Sequence, residues 1–283
     1  MLSFRLLLVS ALLLSACEGQ LQSDIQTGSE DVVTSPIVGG EVVSEKHIMR
    51  QYVVGIRGFK EKDSRLAFSF CTGAFVADNV VITAAHCFGD REMSYQVVYG
   101  NNLKDLNAPK SEVERVLIHG GYSDEAEFGE DNDLALVKIV GKKPSFIKTL
   151  ELLETPLQSS FNFTAIGYGA THGREDGTDS EAGELRIVSK KALPMSSGKA
   201  FFRVDQNAGQ GVCSGDSGGP AIVEIKGRRY ISGVAVAVYF EGTQEEIEKR
   251  AQLRNRDYCQ EMAYYHSVPH YFDWIVKGVA RLI

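Results

Sequence analysis

Nine short apolar segments separated by turn-forming residues constrain the fold of this 283-residue chain more than any other feature. Each has the length of a strand, and several alternate apolar with polar residues, as half-buried antiparallel strands do. The 28 glycines, with many valines and isoleucines, also favour strands and turns over long helices. The segments form two sets, 51–56, 68–76, 80–83, 95–99 and 113–118, then 164–168, 185–188, 221–225 and 231–239. We therefore predict an all-β protein of two β modules, joined by a connector at 141–160.

Two segments near the C-terminus depart from this pattern. After Pro269, residues 271–283 place apolar side chains at helical spacing, which predicts a helix at about 270–282 that packs on the β core. Residues 241–256 interleave charges of both signs, which is typical of a solvated surface insertion and allows a short helix. We assign no chemistry to that insertion.

The first residues, MLSFRLLLVSALLLSAC, contain one cation, Arg5, followed by an apolar run that is too short to span a bilayer permanently. This pattern predicts a signal peptide at 1–16. It ends in LSAC, residues 14–17, which resembles the lipobox of bacterial lipoproteins. We therefore expect Cys17 to carry lipid and to anchor the protein to a bacterial membrane, facing the periplasm or the cell surface. The alternative is an ordinary signal peptide cut near Ala16, which would give a secreted protein.

The segment that follows the signal peptide is polar and lacks any periodic pattern. From residue 21 to residue 36 it is rich in serine, threonine and acidic residues. Such a composition does not bury enough apolar surface to fold by itself. We expect residues 17–36 to be a flexible tether or propeptide, and order to begin near Ile37.

Composition excludes some classes of function. The formal net charge is −7, and no block of basic residues occurs, which argues against a nucleic-acid partner. No metal cluster, nucleotide-binding loop or haem motif stands out, so we expect no cofactor and no metal, although a calcium site cannot be judged from the sequence. With Cys17 assigned to lipid, four of the five cysteines remain, an even number that permits two disulfides in an exported protein. They are Cys71, Cys87, Cys213 and Cys259.

The segment GDSGGP, residues 215–220, contains a candidate nucleophile, Ser217. A serine hydroxyl is nearly inert at neutral pH unless a base activates it. His86 follows the β-type run VVIT, and Asp133 directly precedes an apolar run that would draw it into the interior, while we expect Asp131 to stay in solvent. A buried aspartate needs a partner, and an imidazole N–H is a suitable one. The other histidines are assigned structural roles: His47, His119, His172, His266 and His270.

Six motifs in this order make the chain resemble a trypsin-like (chymotrypsin-family) serine protease. They are IVGG at 37–40, TAAHC at 83–87, DNDLALVK at 131–138, IGYG at 166–169, GDSGGP at 215–220 and YFDWI at 271–275. The order histidine, aspartate, serine separates this family from other serine hydrolases. The resemblance covers the chain from residue 37 to its end. It implies two Greek-key antiparallel β-barrels packed together, one at about 37–150 and one at about 160–265, with the C-terminal helix.

The resemblance also implies a role for each matching residue. Ser217 would attack the scissile carbonyl, and His86 would take the serine proton and pass it to the leaving amine. Asp133 would hold the imidazole in the correct tautomer. The backbone N–H groups of Gly215 and Ser217 would form the oxyanion hole. The disulfides implied are Cys71–Cys87 and Cys213–Cys259.

Activation by cleavage is a further implication. In the family the residue at the position of Ile37 becomes a new N-terminus, and its ammonium pairs with the aspartate before the nucleophile, here Asp216. We therefore expect a zymogen that an unknown protease cuts before Ile37. Because Pro36 precedes that bond, a trypsin-like activator is not expected.

Two departures from the family pattern concern substrate binding. Cleavage after basic residues requires a carboxylate at the base of the primary pocket, where this chain has Gly211 beside Val212. The pocket walls align with Val238 and Ala263, which favours small or medium apolar residues over lysine and arginine at P1. Val236 also stands where the family has a serine that supports the catalytic aspartate.

We conclude from the sequence that the chain is an exported serine endopeptidase that acts on protein or peptide substrates as a monomer. The rival hypothesis is a catalytically silent relative that serves as a binding protein at the cell surface. The intact residues His86, Asp133, Ser217 and Gly215 favour the enzyme, whereas the altered strand at 233–239 leaves the rival open.

Overall fold

The computed structural model describes residues 40–60, 69–90, 92–126, 131–157, 159–173, 182–194, 200–253 and 257–283. The predicted signal peptide, Cys17, the tether and Ile37 lie outside these ranges. None of the helices in the described ranges combines the length and the apolar character needed to cross a membrane.

Short strands dominate the described residues, and the all-β prediction with a C-terminal helix is confirmed. The strands are β1 (Glu41–Val42), β2 (Val54–Phe59), β3 (Ser69–Phe75), β4 (Val80–Thr83), β5 (Ser94–Val98), β6 (Lys110–Ile118), β7 (Ala135–Ile139), β8 (Glu151–Leu152), β9 (Asn162–Gly167), β10 (Arg186–Lys191), β11 (Phe201–Val204), β12 (Pro220–Ile225), β13 (Arg228–Tyr239) and β14 (Met262–Ser267). The α-helices are α1 (Gln244–Leu253) and α2 (Val268–Leu282).

The first module is a closed six-stranded barrel in the order β2-β3-β4-β7-β6-β5. All of its pairs are antiparallel, and strands β2, β4 and β7 are almost entirely buried. Their apolar side chains fill the barrel with residues such as Ile56, Phe75, Val81 and Val137. Closure leaves no strand edge exposed, so the barrel provides a rigid support for the loops at its ends.

The second module is an eight-stranded sheet in the order β1-β10-β9-β12-β13-β14-β11, with β8 pairing in parallel with β13. We predicted a second barrel at about 160–265, and the described residues there form this sheet. Two of its strands come from the chain before residue 160: β1 from the start of the described region and β8 from the predicted connector. The connector is therefore partly a strand.

The two α-helices differ in their surroundings. Helix α2 begins at Val268, with a proline in its first turn, where the missing N–H costs nothing. It buries Tyr271, Ile275 and Leu282, and Gly278 lies so close to Leu136 that a Cβ there would clash with it. Helix α2 therefore packs on the barrel. Helix α1 lies in the charged insertion and is mostly exposed, in line with the sequence pattern.

Candidate active site

His86 and Asp133 meet at one end of the barrel because they flank neighbouring strands. Strand β4 ends at Thr83 and is followed by a 3₁₀ helix, His86–Phe88, while Asp133 lies just before β7, which pairs with β4. His86 Nδ1 is 2.5 Å from Asp133 Oδ2, and the His86 backbone N–H donates to Oδ1 at 2.8 Å. Asp133 is buried, and the imidazole is about one-third exposed. A carboxylate at Nδ1 leaves Nε2 as the nitrogen that can accept a proton.

Ser217 lies in a turn that is bonded to both modules. Thr72 of the barrel donates its backbone N–H to the Ser217 carbonyl at 2.8 Å, and Gly218 donates to the Ala235 carbonyl of the sheet at 2.7 Å. Gly218 has φ of +82°, and a Cβ there would clash with the Thr72 carbonyl, so only glycine fits. The Ser217 hydroxyl donates to the Val236 carbonyl at 3.4 Å. No hydrogen bond joins it to His86, both residues belonging to the described part of the chain.

The predicted oxyanion donors belong to the same turn. Gly215 has φ of +98°, and its carbonyl accepts a hydrogen bond from Thr72 Oγ1 at 2.9 Å. The Asp216 N–H donates to the Cys213 carbonyl at 3.0 Å. Both bonds are made by the one peptide unit that joins Gly215 to Asp216, and they fix its orientation. The turn therefore has a defined backbone conformation that depends on glycine.

Asp216 is a buried carboxylate held by backbone donors. Its Oδ1 accepts from Gly169 N at 2.8 Å and its Oδ2 from Cys213 N at 2.9 Å. Burial raises the pKa of Asp216 to about 7, although these two bonds and the charge of Arg186 act to lower it. No ion pair to this carboxylate occurs within the described residues, and Ile37 is not among them. The site thus contains a buried acid that makes no ion pair among the described residues, although the charge of Arg186 acts on it.

Asp131 is buried, so the expectation that it stays in solvent was wrong. Its Oδ1 accepts a hydrogen bond from the Tyr264 hydroxyl at 3.0 Å and lies 3.2 Å from Nε2 of the buried His266. Burial acts to raise the pKa of Asp131, but its hydrogen bonds, including the one from Tyr264, outweigh it, and the pKa lies below its ordinary value. The local sequence shows that an acid is present at this position, but it does not show which distant groups bury and stabilise that acid.

A cavity of about 220 Å³ opens beside Ser217. It is lined by Cys213, Ser214, Ser217, Ala235, Val236, Ala237, Val238 and Tyr258. Of the predicted pocket residues, Val238 lines the cavity. Gly211, Val212 and Ala263 are buried but do not line it. Within the described residues, the lining is mostly apolar and includes no charged side chain.

Gln206 supports one side of this cavity and was missed by the sequence reasoning. It is buried; its Nε2 donates to the Val212 carbonyl at 3.0 Å and to the Cys259 carbonyl at 2.8 Å, and its Oε1 accepts from Val212 N at 2.6 Å. A Cβ at Gly211 would overlap its amide. A buried glutamine next to a glycine-rich segment gave no recognisable signal in the sequence.

Both cysteine pairs implied by the resemblance are disulfide-bonded in the structure: Cys71–Cys87 and Cys213–Cys259. The first joins β3 to the 3₁₀ helix that begins at His86. Its sulfurs lie near the imidazole, but they are bonded to each other and offer no thiolate to a metal. The second restrains the cavity wall next to Ser217.

The structure has an imidazole and a carboxylate on a closed barrel, a serine on a glycine turn between two β modules, and an adjacent apolar cavity. This arrangement is the architecture of a serine protease. The chain matches the Trypsin family over residues 37–254, and it belongs to that family.

Individual relatives agree with the family match. The chain is 29% identical over 170 residues to chymase of Rattus norvegicus, which covers 54% of this chain and 65% of the chymase. It is 31% identical over 206 residues to granzyme M of Rattus norvegicus, covering 66% of this chain and 73% of the granzyme. It is 22% identical over 205 residues to CLIP domain-containing serine protease B4 of Anopheles gambiae, covering 62% of this chain and 56% of the mosquito protease. The chain thus spans less than two thirds of the chymase and of the mosquito protease.

We predict that the uncleaved chain loses stability relative to an Asp216→Asn variant as the pH rises from about 4 to about 7. A carboxyl whose pKa is raised from 3.8 to about 7 on folding keeps its proton in the folded state throughout this window. The associated stability is fully present below the unfolded pKa and is lost as pH rises through the folded pKa. The difference between the two proteins should change by on the order of 4 kcal/mol. Urea unfolding at a series of pH values measures it.

The asparagine amide faces two N–H donors, so this variant also carries a constant offset in stability. That offset does not depend on pH, and only the slope of the difference bears on the prediction. Parallel stability curves for the two proteins between pH 4 and 7 would contradict a buried, raised Asp216.

Proposed function

We propose that this protein is a serine endopeptidase in which His86, Asp133 and Ser217 form the catalytic triad. The observation that carries the proposal is the contact of 2.5 Å between His86 Nδ1 and the buried Asp133 carboxylate, next to Cys87, whose Sγ lies 3.9 Å from the Ser217 carbonyl oxygen. A carboxylate so placed fixes the imidazole tautomer and stabilises its protonated form. Membership of the trypsin family supports the same assignment.

The proposed reaction begins when the Ser217 hydroxyl leaves the Val236 carbonyl and donates to His86 Nε2. Such bonds are commonly long in an enzyme without substrate and shorten when substrate binds. Oγ then forms a bond to the scissile carbonyl carbon while Nε2 takes its proton, and the Gly215 and Ser217 amides bind the developing oxyanion. Nε2 returns the proton to the leaving amine. Water, activated by the same nitrogen, hydrolyses the acyl-enzyme and regenerates Ser217.

We further propose that the uncleaved chain is a zymogen. Cutting before Ile37 would create an ammonium that can pair with Asp216, the buried carboxylate that has no ion-pair partner in the described residues. An opposite charge at that place would lower the pKa of Asp216 and offset the cost of its burial. Because Asp216 adjoins both oxyanion donors, its pairing would set the conformation of the oxyanion turn.

The first prediction from this proposal tests both the identity of the nucleophile and the activation by cleavage. A soluble chain that starts at Ser23, with an engineered cleavage site directly before Ile37, should react with a fluorophosphonate probe only after it is cut. Ser217→Ala should abolish labelling and lower kcat by at least about 10⁴-fold. Gel fluorescence and mass spectrometry of the labelled peptide measure the result.

Asp216→Asn, processed at the same site, is the control for activation. It keeps the nucleophile but cannot form the ion pair, so it should label slowly even when cut. Equal labelling of cut wild type and cut Asp216→Asn would refute activation through Ile37. If folded, cut wild type does not label at all, the chain is the catalytically silent relative that binds rather than cleaves.

We also propose a preference for small or medium apolar P1 residues. The support is the cavity beside Ser217, whose lining carries no charged side chain, and the glycine at 211, which offers no carboxylate to a lysine or arginine. Val238 narrows the cavity from one wall.

The second prediction concerns this preference. On peptides that differ only at P1, kcat/KM for alanine and valine should exceed that for arginine by at least about 10-fold. Val238→Gly should enlarge the cavity and raise the ratio of phenylalanine to alanine cleavage by about 10-fold, while the exposed Val140→Gly should leave that ratio unchanged. Dominant cleavage after arginine would rule out the neutral-pocket proposal.

Export and lipidation are proposed from the N-terminal sequence, which lies outside the described residues. The apolar run and the LSAC motif support a lipid on Cys17, a tether up to residue 36 and a membrane location that faces outward.

The third prediction is that a bacterial host incorporates radioactive fatty acid into the full-length chain but not into Cys17→Ala. The wild type should fractionate with membranes, and a Cys71→Ala control should still be labelled, because that residue is remote from the motif. An unlabelled wild type recovered in the soluble fraction would favour the ordinary signal peptide and a secreted protein.

A further inference from the structure

His266 contacts the backbone of the catalytic aspartate from the side opposite His86. Its ring is completely buried on β14, and its Nε2 lies 2.8 Å from the backbone N of Asp133. This contact joins residues 133 positions apart in the chain. None of the sequence motifs includes His266, and the sequence reasoning assigned it only a structural role.

The hydrogen-bonding geometry determines the tautomer of this ring. Nε2 lies 2.8 Å from Asp133 N and 3.2 Å from Asp131 Oδ1, and one nitrogen cannot accept from an amide while donating to a carboxylate. The amide contact is the shorter, and the direction of its N–H is fixed by the backbone. Nε2 is therefore the acceptor, and the ring proton lies on Nδ1, which faces the Tyr264 hydroxyl at 3.4 Å.

The groups around the ring fix its position. The Tyr264 hydroxyl donates a hydrogen bond to Asp131 Oδ1 at 3.0 Å, so a chain of hydrogen bonds runs from the Asp131 carboxylate through Tyr264 and His266 to Asp133 N. Helix α2 contributes Tyr271, whose ring packs edge-on against the imidazole at 5.0 Å between centroids. Two more histidines, His119 and His270, lie against the Tyr271 ring, and burial lowers the pKa of both.

The turn that His266 supports has an unusual backbone. Asn132, directly before the catalytic aspartate, has φ of +48°, a conformation that costs energy for a residue with a side chain. The Tyr271 hydroxyl donates to Asn132 Oδ1 at 3.2 Å, and Asn132 Nδ2 donates to the Gly121 carbonyl at 3.1 Å. The orientation of the Asp133 carboxylate therefore depends on contacts from β14 and α2, which belong to the second half of the chain.

Strand β13 supplies no side-chain hydrogen bond to Asp133 at the position of Val236, because that side chain is apolar. The carboxylate is held by two donors of His86, its backbone N–H and its ring Nδ1. The Asp133 peptide is held in addition by the acceptor that its own N–H meets. That acceptor is His266.

We propose that His266 is a positioning residue for the proposed protease reaction: as a neutral imidazole that accepts the Asp133 N–H, it holds the catalytic carboxylate against His86 in place of a hydroxyl at position 236. The proposal rests on the proposed triad. It assigns the Tyr264 hydroxyl and the Asp131 carboxylate to keeping the His266 proton on Nδ1. His266 does not touch substrate, and its effect acts through Asp133.

The test compares His266→Leu, which removes the acceptor, with His266→Gln, whose Oε1 can accept the same N–H. The first readout is the far-downfield proton resonance of His86 Nδ1–H in the uncut, full-length chain, which reports the bond to Asp133 whether or not the protein hydrolyses anything. It should be lost or broadened in His266→Leu and kept in His266→Gln. In chain cut before Ile37, kcat should fall about 10–100-fold in His266→Leu at unchanged KM, and His266→Gln should restore most of it.

Phe163→Leu is the matched control for general loss of stability, because Phe163 is buried in the second module and contacts neither Asp133 nor His266. It should lower Tm and keep the resonance. If His266→Leu does not fold, His266→Gln and Tyr264→Phe decide: Tyr264→Phe removes the group that faces Nδ1 and should broaden the resonance, while His266→Gln should keep it.

A His266→Leu protein that has a lower Tm but a normal resonance and normal kcat would overturn the proposal, as would a His266→Gln protein that has lost the resonance. Failure of the protease proposal looks different. The wild type would then show the resonance but no fluorophosphonate labelling, and the resonance of the variants alone would accept or reject the positioning role.

Discussion

The catalytic arrangement depends on the clamp that holds the Ser217 turn between the two β modules. The barrel contributes the Thr72 N–H, which binds the Ser217 carbonyl at 2.8 Å, and the sheet contributes the Ala235 carbonyl, which accepts from Gly218 N at 2.7 Å. Because the imidazole and its carboxylate belong to the barrel while the serine precedes a strand of the sheet, each module alone holds an incomplete site. These few backbone bonds join two separately packed cores into one proposed site, where a misplacement of about 1 Å would cost on the order of 10²-fold in rate.

Three aspartates are buried near this clamp, and each is stabilised in a different way. Asp133 is held by the His86 backbone and ring, and Asp131 is held by the Tyr264 hydroxyl. Asp216 has only backbone N–H donors in the described residues, and its pKa is correspondingly raised by burial. Desolvation is costly for any carboxylate, and Asp216, which has no side-chain hydrogen bond among the described residues to offset it, has its pKa raised to about 7. In the proposed activation, a new ammonium acts on that carboxylate.

Much of this fold could be predicted from the sequence, because strands in a barrel with a buried interior require apolar segments of strand length. The run VVIT became β4 without change, and the all-β class and the C-terminal helix followed from the patterns. Strands β11 and β14 were not predicted: FFRV is short, and MAYYHS carries polar residues that are buried only because distant groups bind them. The prediction that Asp131 is exposed was wrong for the same reason, since its partners Tyr264 and His266 lie more than 130 residues away in the chain. Local periodicity indicates which face a residue occupies, but not which polar group completes its hydrogen bonds.

The described lining of the cavity carries no charged side chain. The packing around Gly211 contributes to this as much as the identity of that residue does. The resemblance to the family places Gly211 where a carboxylate would favour a basic substrate, yet a side chain there has no room, because the buried amide of Gln206 occupies the space beside its Cα. That amide is fully satisfied by Val212 and Cys259, so moving it would leave buried donors and acceptors without partners. A single replacement of Gly211 by aspartate would therefore combine a steric clash with broken hydrogen bonds, and it would not by itself create a site for lysine or arginine. A carboxylate at position 211 therefore requires Gln206 to change as well, because the two side chains would occupy the same space.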